Sequence, residues 1–406
     1  MNFNNSDAPA NVSHFQLSFG LAFVASLALL LGVVASYATS WPQRDAFIFF
    51  DWLLQVRSGD LSLVSLVFAR NNEHLVGVQY LVSLGVLWLF DGNFKSLIYM
   101  NAALLLSVIA LCGSFAAKEE GVARWSWVAA LLVCVPFINP VQASYLLWEF
   151  QLWWYIVLFC AVIACWSLEA SRPWSLPVAV LACATATLSG TQGSFVWLVA
   201  AAYLMLLDYR DRFAFGATTG RRFFLALGAV VIFALVAATV LFGRSAATGQ
   251  AAGFQALGLP AYFVQLIGGV FGVRRPSVAF TLGTALVVAW VLIVVVSLRF
   301  GSARRPLFRL GFGLSLLGLL STLAFAFGRQ RYGIEWALWN FHASPPVISF
   351  VAGTALAALG LLSLDRQALP RLLVLSAAFC GWFTLVPSVT AIPAGHQRAA
   401  ELLRVT

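Results

Sequence analysis

The stretch Gln16–Ser36, QLSFGLAFVASLALLLGVVAS, carries no ionisable side chain from end to end. As a helix rising 1.5 Å per residue it covers about 30 Å, the depth of a bilayer's hydrocarbon core. Small residues at Ser36–Ala38 give it the look of a secretory signal. It is nevertheless longer than the roughly 7–15-residue apolar core of a signal peptide, and no basic cluster precedes it. It reads as a retained first span, which makes the chain a membrane protein.

The same pattern recurs outward from this segment. The 406 residues are 61% hydrophobic and 10% charged, whereas soluble domains run at about half and a quarter. Spans are expected at about 15–37, 95–117, 125–140, 151–169, 174–188, 195–208, 222–242, 278–298, 307–327, 346–364 and 370–388. The predicted fold is all-α: one polytopic transmembrane domain over 1–406, with about 11 transmembrane helices and no separate soluble domain. The 15 Trp suit interfacial anchoring. The six cysteines (Cys112, Cys134, Cys160, Cys165, Cys183 and Cys380) lie in apolar runs without CxxC spacing and read as small core residues.

The net charge of +9 is not a nucleic-acid signature, because the basic residues cluster in short loops beside spans. Lys118/Arg124, Arg172, Arg210–Arg222, Arg299–Arg309 and Arg366/Arg371 mark every second loop as cytoplasmic. His74–Phe90 disturbs this alternation if it crosses. With about 16 residues, closed by Asp91-Gly92-Asn93, segment 75–90 reads as an interfacial helix within a first external loop, 38–94. Eleven spans then leave the N-terminus inside and the C-terminus outside; the alternative is twelve spans with an external N-terminus. A hydrophobic chain keeps ionisable groups near its spans only at a cost, so those in the external loops are the candidates for function.

Four constellations stand out. In WPQRDAFIFFDW (Trp41–Trp52), Asp45 stands just outside the first span, where a carboxylate can accept a proton from a hydroxyl nucleophile; pairing with Arg44 at the interface is the competing reading. Asp51, six residues on, is the alternate and falls on another face of a single helix. In RNNEHL (Arg70–Leu75), Glu73 and His74 join two Asn in a cluster suited to sugar hydroxyls or phosphate, or in an ordinary solvated loop that caps a helix. In LLWEFQLWW (Leu146–Trp154), Glu149 and Gln151 are flanked by aromatics, as in carbohydrate sites, or form an interfacial belt with a snorkelling acid. The fourth is GRQRYGIEWALWNFH, with Arg329, Arg331, Tyr332, Glu335 and His342. External arginines suit a lipid-linked phosphate or simply headgroups, and Arg274 and Arg275 form a second such pair. There is no HxxxH or HExxH pattern, so neither metal nor cofactor is expected.

The first loop's order is an acid soon after span one, Arg57-Ser58-Gly59-Asp60, a polar cluster with His, an interfacial apolar run, then Phe90-Asp91-Gly92. This resembles the GT-C glycosyltransferases, among them lipid A aminoarabinose transferases and protein mannosyltransferases that use polyprenyl-phosphate sugars. WEFQ (Trp148–Gln151) and GRQRYGIEWAL (Gly328–Leu338) look like patterns of the same broad class. Two departures are Asp45-Ala46 where an Asp-Glu pair is common, and Glu73-His74 in place of Pro-Pro. The resemblance implies a bacterial inner-membrane enzyme with its site on the periplasmic side. Its donor would be a polyprenyl-phosphate-linked sugar, its acceptor a glycan or glycolipid such as an O-antigen unit, and its surroundings membrane lipids. Asp45 would match the loop's first acid, Glu73/His74 its polar cluster and 75–90 its second juxtamembrane helix. An O-antigen polymerase or ligase, and a lipid-linked-sugar flippase or transporter, are the other classes.

Overall fold

The computed structural model describes residues 8–42, 46–68, 70–71, 74–119, 122, 126–138, 143–170, 172–211, 218–245, 258–271, 275–301, 304–330, 337–338 and 344–362. These form an almost wholly helical multi-pass membrane protein. Among them, six helices are long and apolar enough to cross a membrane: His14–Tyr37, Lys95–Ala116, Glu149–Ala170, Pro276–Phe300, Pro306–Arg329 and Ser344–Leu361. Four further expected spans fall on shorter apolar helices, and 370–388 lies outside the described residues.

In chain order, α1 is Ala8–Tyr37, α2 Phe47–Ser58 and α3 Leu63–Val67. The two-residue strands β1 (Arg70–Asn71) and β2 (His74–Leu75) precede α4 (Gly77–Leu89) and α5 (Lys95–Ala116). Then follow α6 (Ser126–Cys134), α7 (Ala143–Leu146), α8 (Leu152–Ala170), α9 (Ser175–Ser189), α10 (Phe195–Asp211) and α11 (Thr218–Ser245). The last are α12 (Leu259–Gly269), α13 (Pro276–Phe300), α14 (Pro306–Arg329) and α15 (Ser344–Leu362).

Helix α1 shows how the bundle is made. Phe15, Ser18, Ala22, Ser26, Leu30 and Val34 are buried and recur every three or four residues, which places them on one stripe. Leu17, Leu21, Val24, Leu29 and Leu31 on the other faces are exposed, as hydrocarbon-facing side chains should be. The stripe packs on α5 and α6. The Phe19 ring fills the space over Gly113, where a Cβ would come within 2.2 Å. At the other end of the same pair, the Phe94 N–H donates to the Ser40 carbonyl at 3.3 Å and the Lys95 ammonium to the Ala35 carbonyl at 3.3 Å.

Helices α1 and α5 are therefore antiparallel, and segment 38–94 leaves and returns at one place. A chain whose two ends meet in this way crosses the membrane either not at all or an even number of times in between. At 13 residues, α4 is about 20 Å long and α2, at 12, about 18 Å, both short of a 30 Å core. The boundary of the expected interfacial helix also moves. His74 and Leu75 belong to the strand pair Arg70↔Leu75 and Asn71↔His74, and the helix itself is Gly77–Leu89. Val76 precedes it without a side-chain cap, so the reading of Asn71 or Asn72 as its cap does not hold.

Two glycine pairs lock α14 onto α15. Gly311 and Gly318 face Ala357 and Phe350, while Gly353 and Gly360 face Ser315 and Phe308, with backbone atoms where any Cβ would stand. Both pairs are seven residues apart, two helical turns, so the antiparallel backbones touch along one seam.

Candidate functional site

At the bundle end where the first loop opens and closes, three elements converge on one turn. Glu149–Gln151 form a 3₁₀ turn that runs straight into α8. Glu149 is 0% and Gln151 3% exposed. A snorkelling acid would reach water, so the belt reading of Glu149 is set aside. Its carboxylate stands in the first turn of the helix, where the macrodipole favours a negative charge.

The turn is clamped from two sides. From α4, Gln79 donates its amide to the Phe150 carbonyl at 2.5 Å. From α5, Asn101 donates to the Leu146 carbonyl at 3.0 Å and the Trp148 carbonyl at 3.4 Å. Both side chains are completely buried. Gln151 accepts from the Trp153 indole N–H at 3.1 Å, and that indole closes over Gly190, where a Cβ would come within 2.5 Å of the ring. The first loop is seated on the same turn by aromatic contacts. Phe49 of α2 stacks on Phe150 at 5.7 Å and meets Tyr80 edge-on at 5.4 Å, while Trp52 lies 4.2 Å from Tyr80. Phe49 is the buried side chain of α2. Strand β2, His74–Leu75, touches α9.

The expected site residues distribute as follows. Asp45, Glu73, Arg274, Arg331, Tyr332, Glu335 and His342 lie outside the described residues. His74 is placed by its backbone, in β2. Asp51 is exposed on α2 and accepts from the Gln55 amide one turn on, at 2.7 Å. The single helix assumed to carry both Asp45 and Asp51 begins only at Phe47, so the face argument between them does not apply. Arg275 is exposed immediately before α13. Arg329 ends α14 with its guanidinium 5.8 Å over Phe325. By the antiparallel run of the helices, Arg329 belongs to the same end of the bundle as Glu149. Of the expected residues, Glu149 and Gln151 are thus brought together with Asp51's helix.

The opposite end holds a charged centre that the sequence reading missed. Arg309, in the first turn of α14, is wholly buried and forks onto Glu169, in the last turn of α8, at 2.6 and 2.7 Å. The Tyr203 hydroxyl donates to the same carboxylate at 2.7 Å, and Arg309 also donates to the Arg304 carbonyl at 2.6 Å. Each charge opposes its own helix dipole, and their pairing offsets both penalties. Glu119, just past α5, accepts from the Leu307 N–H at 3.2 Å and from Arg305 at 3.3 Å. It caps the start of α14, which lacks a side-chain cap of its own. Burial pushes the Glu119 carboxyl above the usual range, partly countered by that N–H and by Arg305 and Arg309. The signal was available in Arg309 itself, which lies inside an apolar run three residues after Pro306.

Among the described residues no cluster of three or more His, Cys, Asp or Glu could hold a metal ion. No protein-family model, no curated protein and no solved structure matches the chain.

Proposed function

We propose that the chain is a GT-C-type glycosyltransferase of the bacterial inner membrane, acting at the periplasmic face. It moves a sugar from a polyprenyl-phosphate donor to a lipid-linked glycan such as an O-antigen unit. The observation that carries this reading is the closed first loop, which sits by Phe49 and Gln79 on the turn bearing the buried Glu149. A long loop with its own helices, held over a buried acid among aromatics at one membrane face, suits a substrate with a lipid tail and a polar head. The eleven-span arrangement belongs to the same reading, and the Ser40–Phe94 closure supports it by keeping α4 from crossing alone.

In this mechanism the acceptor hydroxyl attacks the anomeric carbon and its proton passes to Asp45, with Asp51 as the alternate. The bond from that carbon to the phosphate oxygen breaks with inversion, and the polyprenyl phosphate departs with the electron pair. Arg329 with Arg331, or Arg274 with Arg275, neutralises the departing phosphate. Glu149, Gln151, Glu73 and His74 orient sugar hydroxyls. Because phosphate is already a competent leaving group, the proposed route does not call for a metal.

The test is transfer of radiolabelled sugar from a panel of polyprenyl-phosphate sugars to membrane glycans. Asp45→Asn at equal protein level should lose at least about 100-fold in turnover, as expected for removal of a general base, and Glu149→Gln should raise KM. Transfer retained in Asp45→Asn moves the base to Asp51 or Glu73. No transfer from any donor by the wild type rejects this transferase reading and returns the polymerase and transporter classes.

A further inference from the structure

The amides of Gln79 and Asn101 do more than clamp a turn. Their partners are the carbonyls of Phe150, Leu146 and Trp148, which only accept, so the NH2 group of each amide must face the turn. That fixes each amide oxygen on the other side of its side chain. Gln79 Oε1 and Asn101 Oδ1 are both buried, and among the described residues neither finds a hydrogen-bond donor. A buried acceptor left unsatisfied forfeits its hydration with no return, and here there are two of them, on side chains that clamp one turn. The residue between the clamped carbonyls of Trp148 and Phe150 is Glu149, itself buried.

We propose that Gln79 and Asn101 are ligand residues, whose amide oxygens receive hydroxyl protons of a carbohydrate held beside the Glu149 turn. This rests on the sugar-transfer reading and sharpens it: the two orphaned amide oxygens select a head group that offers a hydroxyl donor to each. A hydroxyl placed there satisfies an orphaned acceptor, whereas a deoxy carbon leaves it orphaned. Discrimination against the deoxy analogue follows from the cost of an empty acceptor rather than from pocket size.

The experiment crosses variants with substrate analogues. Wild type, Gln79→Met and Asn101→Leu, each checked for an unchanged melting temperature, are assayed with a polyprenyl-phosphate sugar and its single-deoxy analogues. For one hydroxyl per amide, the wild type should lose about tenfold or more in kcat/KM on the deoxy analogue. The matching variant should lose as much on the parent sugar and nothing further on that analogue. Losses that multiply for every hydroxyl would overturn the proposal and leave the amides a purely structural role. Should Asn101→Leu fail to fold, Gln79→Met carries the same cross. If the wild type transfers no sugar at all, the transferase reading fails separately, and thermal stabilisation by millimolar free monosaccharides decides the site. Stabilisation lost in the variants keeps it, and no stabilisation by any sugar removes it.

Discussion

Arg309 and Glu169 show what a single residue decides in this bundle. A guanidinium without exposure, held by three bonds to one carboxylate, stands or falls with its partner. Removing one member of such a pair leaves the other buried and uncompensated, which costs about 3–5 kcal/mol, while replacing both with apolar residues is often close to neutral. Arg309→Met should therefore lower the melting temperature in detergent markedly, and Arg309→Met with Glu169→Leu should recover most of the loss. A double variant as unstable as the single one would show that the pair is not what joins α8 to α14. The residue scale was also where the sequence was least legible. Arg309 groups with the loop arginines Arg299–Arg309 although it falls inside the expected span 307–327, and only tertiary packing names Glu169 as its partner. Glu149 was found because aromatics flank it. Gln79 and Asn101 were passed over, since a lone amide within an apolar helix carries no local signal until its partner's backbone is known.

Among the helices, the seam between α14 and α15 is the contact with least tolerance. Gly353 lies where a Cβ would come within 2.2 Å of the Ser315 nitrogen, and Gly311 faces Ala357 in the same way. With backbone on both sides there is no side chain to move aside, so a larger residue separates the helices or unfolds them. Gly353→Leu should destabilise by at least about 1–3 kcal/mol, read as loss of folded protein on heating in detergent. Gly228→Leu is the control, because nothing lies within 4 Å of its Cβ position. Equal melting of the two variants would argue against the seam. Helix positions were largely legible, because long apolar runs report themselves through composition. The seam was not, although Gly311/Gly318 and Gly353/Gly360 share one spacing. That spacing acquires meaning only once the two helices are known to face each other.

For the whole molecule, the closure of 38–94 fixes how the ends of the bundle alternate. Ser40 and Asn93 must lie on one side, with Arg172, in the turn between α8 and α9, on the other. Cysteines placed singly at Ser40, Asn93 and Arg172 test this with a membrane-impermeant maleimide on intact cells. The first two should label and the third only after permeabilisation. Opposite labelling of Ser40 and Asn93 would mean that α4 crosses alone. The sequence already favoured this parity from the basic loops, and the hydrogen bond between the loop's two ends supplies an independent reason.

The same closure bears on how the chain is made. Among the described residues helix α1 packs mainly on α5 and α6, and α5 begins at Lys95. At about 5–20 residues per second, synthesis of the intervening loop takes roughly 3 to 12 s. Through that interval α1 stands in the bilayer with its packing stripe uncovered. Ser26 already donates its hydroxyl to the Ala22 carbonyl of its own helix at 2.8 Å, so the central polar group of the stripe enters lipid satisfied. The first span is equipped to wait for its neighbours.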